Sequence, residues 1–173
     1  MNTLIDKDLV TSTEDEGAAG WTLLKVQGER LGTEVVRVAE KIESSPTADL
    51  ALSATSITVP TVETTQGQQA QPTTTHTWTV NGSQALPVWV FRIGEGVYAG
   101  TPPELSTSTL ESIRRASPFR HTFVAGMFEG GNKNMPDKWN YDHITYAALD
   151  GNFAPGCAEK YAAYAGRQIR SLA

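Results

Sequence analysis

The stretch LPVWVFRIGEGVYAGTPPELSTSTLESIRRASPFRHTFVAGM, residues 86–127, carries the pattern from which the fold is read. Val88 to Ile93 is an apolar, β-branched run that reads as a strand. Gly94-Glu95-Gly96 is a turn, and Val97 to Ala99 returns as a second strand. Thr101-Pro102-Pro103-Glu104-Leu105 follows. Residues 106–116 then repeat at helical spacing and are closed off by Pro118. His121 to Met127 is an almost unbroken apolar run, which predicts a buried, central strand. This layout sets the carboxylate of Glu104 between a strand end and a helix start, where mixed folds tend to place ligands and catalytic groups.

On the N-terminal side, Thr75 to Val80 alternates, and Asn81-Gly82 supplies the two residues of a tight hairpin turn. The partner strand is Gln84 to Arg92, with Pro87 at its start or on an edge. Asn81-Gly82-Ser83 also has the form of a glycosylation acceptor, but the turn reading is preferred. Leu50 to Val59 reads as a strand ending at Pro60. Val62 to Thr74 is polar and of low complexity, hence loop. Leu31, Val35, Val36, Val38, Ala39 and Ile42 recur at helical spacing and predict a helix over 29–43. Gly20 to Val26 is either a short strand or the beginning of that helix. Residues 1–18 read as a flexible acidic lead-in and 19–173 as a single domain.

On the C-terminal side, residues 129–155 are irregular and rich in glycine and aromatics. Pro155-Gly156 opens a helix from Cys157 to about Ser171, with Ala158, Tyr161, Ala162, Ala165 and Ile169 on one face. The fold class expected is α+β: a mixed sheet of five or six strands packed against three helices near 29–43, 105–116 and 157–171.

At 173 residues the chain is long enough to bury a sizeable core. Its formal net charge of -5 argues against non-specific binding to nucleic acid. No run is apolar and long enough for a membrane span. The N-terminus lacks the basic start and apolar stretch of a signal peptide, so a cytoplasmic location is the default expectation. The single cysteine, Cys157, excludes an internal disulfide framework.

Several residues are candidates for chemistry. Thr101-Pro102-Pro103-Glu104 has the form of a capping box, with Thr101 as N-cap and Glu104 reaching back to its amide. Ser108-Thr109-Leu110-Glu111 is a rival box one turn later. Glu104 is therefore either a helix cap or a metal ligand. His76, His121 and His143 are widely spaced and form no short ligand pair; each reads as structural. Asp142 and His143 are adjacent and can form an orienting pair for base catalysis, with Glu104 as a third member of an independent hydrolase site. Cys157 sits at a helix start, where a thiol can be activated, but reads as a small buried residue. Trp139, Tyr141, Tyr146 and His143 form a candidate ligand groove, against the simpler reading that the aromatics pack in the core.

The ordered set Leu31-Gly32, Ile57-Thr58-Val59-Pro60, Val90-Phe91-Arg92-Ile93-Gly94, Gly100-Thr-Pro-Pro-Glu104, Ser117-Pro-Phe-Arg-His-Thr122-Phe-Val and Phe153-Ala-Pro-Gly-Cys-Ala-Glu159 resembles the later part of the catalytic region of neutral/alkaline, non-lysosomal ceramidases and their uncharacterised bacterial relatives. The resemblance covers residues 20 to 172. It implies a zinc-dependent hydrolysis of the amide of N-acyl sphingosines, with zinc held by two upstream histidines, a glutamate in a Pro-Gly-Glu-like turn and a later tyrosine. The glutamate position falls on Glu104. The tyrosine position falls near Gly131, where this chain has no tyrosine. A Gly-Gly-Tyr-Glu segment of the relatives falls on Ile144-Thr145-Tyr146-Ala147, which keeps only the aromatic. The histidine-bearing part would lie before residue 20. The resemblance thus implies a C-terminal segment or a reduced relative, inactive alone, with no cofactor in this chain by itself and zinc only if the site were completed. The alternative is a non-catalytic binding or homo-oligomeric assembly domain, with a second copy or a lipid-like or amide small molecule as partner.

Overall fold

The computed structural model describes residues 17–44, 46, 48–64, 73–130 and 132–173. Most of the predicted acidic lead-in, the centre of the predicted 62–74 loop and Gly131 lie outside the described residues. The chain divides into two compact units, Met1–Pro46 and Thr47–Ala173.

The first unit carries one helix, α1 (Gly17–Ala39). Residues 20–26 are thus helix rather than strand, and the helix begins well before residue 29. None of its 23 residues is buried.

The second unit is α+β. In chain order it contains β1 (Leu50–Val62), β2 (Val80–Ile93), β3 (Gly96–Thr101), β4 (Pro103–Leu105), α2 (Thr107–Arg115), β5 (His121–Gly126), β6 (Asn132–Met135), α3 (Lys138–Asp142), α4 (Tyr146–Asp150) and α5 (Cys157–Arg170). The strands form two sheets instead of one: a four-stranded sheet in the order β1-β2-β3-β5 and a two-stranded sheet of β4 and β6. β1, β2 and β3 are antiparallel neighbours, whereas β3–β5 and β4–β6 are parallel. A parallel pair needs a long crossover, and the segment containing α2 provides it.

The turn after β2 forms as expected, with Gly94 at φ 54°, a conformation that glycine adopts without the cost a Cβ would add. The hairpin at Asn81-Gly82 does not form. Both residues lie inside β2, where Gly82 faces Thr61. β1 pairs with β2 over nearly its whole length, and this ladder outweighs a local turn preference worth about 1 kcal/mol or less. Residues 75–79 are accordingly not strand. Pro87 is tolerated in β2 because the β3 ladder starts only at Trp89↔Gly100; its carbonyl accepts a hydrogen bond from the Tyr161 hydroxyl at 2.9 Å.

β5 is an edge strand, not a central one. Its apolar residues divide between the two faces, and Phe123 stays exposed. The core lies on the other face of the sheet, where Val59, Leu86, Val88, Val90, Val97 and Ala99 meet α5. All five residues foreseen on the buried face of α5, Ala158, Tyr161, Ala162, Ala165 and Ile169, are in that core.

Candidate functional site

Thr101 ends β3 and Gly126 ends β5, so the carboxyl ends of the parallel pair lie side by side. Two features converge on this edge. The first is the turn into β4. Thr101 is fully buried, and its hydroxyl lies 3.3 Å from the carbonyl of Ala125 and 3.4 Å from that of Pro103. One hydroxyl hydrogen serves one of these acceptors at a time. Thr101 therefore ties the β3 end to β5 and to the following turn. Pro103 and Leu105 are buried, and Glu104 between them is exposed, opposite Asn134 of β6.

Thr101 is not an N-cap, and Glu104 does not reach back to a helix start. The helix begins at Thr107 after Ser106, and Ser106 makes no side-chain cap. Ser108 and Glu111, the rival box, sit inside the helix. The physical reason is the Pro-Pro pair: a residue before proline is pushed out of the α region, which holds Thr101 and Pro102 extended and carries the chain into β4.

The second feature is the loop after β5. Met127 and Glu129 both adopt positive φ, 57° and 60°, an uncommon conformation for residues with a side chain. The resulting double turn folds Phe128 back over Gly100. A Cβ at Gly100 would lie 2.9 Å from the Phe128 ring. The Glu129 carboxylate accepts a hydrogen bond from the Trp89 indole at 3.1 Å.

Phe128 and Trp89 border a groove of about 330 Å³ on the sheet face opposite the core, lined also by Phe91, Tyr98 and Phe123. The strand registers explain it. Leu52 faces Phe91, Phe91 faces Tyr98, and Tyr98 faces Phe123, so one row crosses all four strands. Side chains on alternate positions share a face. These four remain between 39% and 63% exposed. The aromatics were visible in the sequence at alternate positions of β2, β3 and β5, but only the register shows that they align.

The predicted aromatic groove near residue 140 separates into different environments. Trp139 and His143, one turn apart, stack at 4.1 Å with 21° between ring planes. Tyr141 is buried, donates its hydroxyl hydrogen to the Phe153 carbonyl at 2.5 Å, and meets Trp78 edge to face. Its burial pushes the phenol pKa up. It thus packs in the interior instead of lining a groove with Trp139. Tyr146 is exposed at the start of α4.

Asp142 and His143 do not form the orienting pair. Asp142 binds the Lys138 ammonium at 2.6 and 2.7 Å, and His143 Nδ1 lies 2.8 Å from the Trp139 carbonyl. His76 sits edge-on against Trp78, and His121 is exposed at the start of β5. Cys157 is buried with its thiol 3.5 Å from the Pro60 carbonyl; burial pushes its pKa up, away from the reactive thiolate.

A catalytic zinc takes about three protein ligands and an open position. Among the described residues, no three His, Cys, Asp or Glu side chains are grouped to hold a metal. Glu104 alone does not make such a centre, so the described residues do not fit a complete zinc site. Nor is any described helix long and apolar enough to cross a membrane.

No protein-family profile and no curated protein matches the chain. Among solved structures, one described as a ceramidase complexed with C2 is similar, at 22% identity and a TM-score of 0.48. The similarity covers 51% of this chain and 15% of that one.

Proposed function

We propose that this chain is a segment, or a reduced relative, of a ceramidase-like zinc amidohydrolase, and that it does not hydrolyse amides by itself. The observation that carries this reading is the position of Glu104. Within the ordered motifs of residues 20–172, the glutamate that the resemblance makes a metal ligand stands exposed beside the carboxyl ends of the parallel strands, in a turn held by buried Thr101. Its metal partners would come from residues outside those described.

Zinc analysis together with an assay on a short-acyl fluorescent N-acylsphingosine tests the second half of the reading. The expected result is zinc far below one per chain and no turnover. Near one zinc per chain, lost in Glu104→Ala, with turnover would overturn the claim of inactivity. The first half is tested by the DNA upstream of the Met1 codon. A continuous frame encoding two histidine motifs is expected for a segment. In that longer protein, zinc retention indifferent to Glu104→Ala would overturn the role given to Glu104.

A second reading, a non-catalytic binding domain, is favoured by one observation: the open aromatic groove on the outer sheet face. Its occupant would be an apolar small molecule, lipid-like or amide-bearing.

A further inference from the structure

β1 borders the four-stranded sheet: β2 pairs with one of its edges, and the other points away from the sheet. Pro60 shows which backbone groups face outward. Its carbonyl accepts from the Ala154 amide at 3.1 Å, and the Val62 amide donates to the Asn152 carbonyl at 3.0 Å, both on the side away from β2. Backbone direction alternates along a strand, so Leu50, Leu52, Ala54, Ser56 and Thr58 turn their N–H and C=O groups the same way as Pro60. The two-residue turn between Ile93 and Gly96 gives the same phase from the other side. Ile93 exchanges its bonds with Gly96, which leaves Arg92, Val90 and Val88 to bond Ala51, Ser53 and Thr55 of β1.

Residues 152–154 thus add to this edge as a short antiparallel piece, and the addition stops at Pro60. From Leu50 to Thr58 no described residue outside β2 bonds a β1 backbone group. The usual guards of an open edge are missing as well: β1 carries no charged residue, and its one proline lies beyond Thr58. Leu50 and Leu52 stay 69% and 63% exposed. A helix has its own amides and carbonyls paired internally and cannot fill such an edge; an extended segment can.

β1 of a second copy has the required form. Run antiparallel about Ala54, it sets Leu50 against Thr58 and Leu52 against Ser56, uses the whole open stretch and stops short of residues 152–154 at both ends. The facing pairs exchange about ten hydrogen bonds, as many as a stable interface typically carries. With no charge on β1, self-pairing incurs no like-charge repulsion. The contact is isologous and closes at two copies.

We propose that β1 is a dimerisation edge, pairing antiparallel with β1 of a second copy around Ala54. The Glu104 turn shares no residue with this edge, so the outcome leaves the reading of that site untouched. Sedimentation of the full chain is expected to give a species of twice 18.7 kDa. Ala54 is exposed, so Ala54→Lys and Ala54→Glu should both keep the fold. Each sets like charges face to face at the axis and should run as a single copy. An equimolar mixture of the two should return to the two-copy species, which only direct pairing of this position allows. The Leu52, Ala54 and Ser56 amides should exchange with deuterated water at least about tenfold faster in either variant, or in diluted wild type, than in the dimer. The proposal is overturned by a wild-type chain that stays single at concentrations on the order of hundreds of micromolar, by a dimer that survives both substitutions, or by a mixture that does not pair. Protection of these amides in the single copy would also overturn it, because the edge would then be covered within one chain.

Discussion

Tyr98 and Phe123 stack in register across the parallel β3–β5 pair, ring centroids 4.9 Å apart and planes 15° from parallel, on the sheet face opposite the core. Such a stack usually closes a core. Here it forms the floor of the open groove beneath Phe128. An apolar surface left bare in this way costs free energy that a ligand or partner would recover.

Phe123→Ala and Tyr98→Ala should each cost about 1 kcal/mol in urea unfolding, because both rings are half exposed and lose chiefly their mutual contact. Both should also lower the fluorescence of a bound apolar dye more than Leu50→Ala, which removes an exposed leucine outside the groove. Equal dye binding by all three variants would remove the groove as an apolar site.

The Thr101 and Glu104 positions should respond in opposite proportion to a cap-and-ligand reading. Thr101→Val leaves the size of the side chain nearly unchanged and removes the hydroxyl that faces the Pro103 and Ala125 carbonyls. It should destabilise the second unit by about 1–3 kcal/mol. Glu104→Gln changes an exposed side chain with no cap to lose and should lie within about 0.5 kcal/mol of wild type. Thermal or urea unfolding of the two variants checks both; a larger loss at Glu104 would contradict the geometry.

Gly166 faces α2 across the α5 packing surface, and a Cβ there would lie 2.8 Å from Cβ of Ala116. Gly166→Ala gains about 1 kcal/mol of helix propensity. Forcing two packed backbones apart costs about 1–3 kcal/mol. The overlap should win, and the variant should unfold at lower urea. Ala116→Gly in the same background should restore part of the loss, which a pure propensity effect would not allow.

What the sequence disclosed follows from how locally each element is specified. The α5 face was legible because five residues at helical spacing all point into one core. The β2–β3 turn was legible because Gly94 needs its positive φ. Three features depended on distant pairing instead. Asn81-Gly82 carries a strong turn signal, but the long β1 ladder straightens it. The apolar run 121–127 looks like a central strand, yet its outer face is left uncovered, and apolarity alone does not reveal that. Thr101 satisfies a capping pattern, but two successive prolines keep the chain extended until Ser106. Of the candidate site, Glu104 was singled out from its motif, although the cap that the motif suggested does not form. The groove was not, because it exists only once four strands are in register.

Asp137 gives the clearest pH dependence. It caps α3, accepting from the Asn140 amide at 3.1 Å, and also takes hydrogen bonds from the Asn140 side chain and the Ser108 hydroxyl. Partial burial alone would raise its pKa, but these donors outweigh it and hold the carboxyl below the usual aspartate range. A folded pKa below the unfolded value contributes stability that is complete above the unfolded pKa, about 3.9, and is lost as pH falls through the folded one. Asp137→Asn keeps a good cap but removes the charge, so stability near pH 7 should drop modestly while the loss on acidification below the unfolded aspartate pKa becomes shallower. Asp137→Ala removes the cap as well and should cost about 1 kcal/mol more. Urea unfolding of the three proteins at several pH values checks this; parallel acid profiles for wild type and Asp137→Asn would show that the carboxylate is not held in its charged form by these donors.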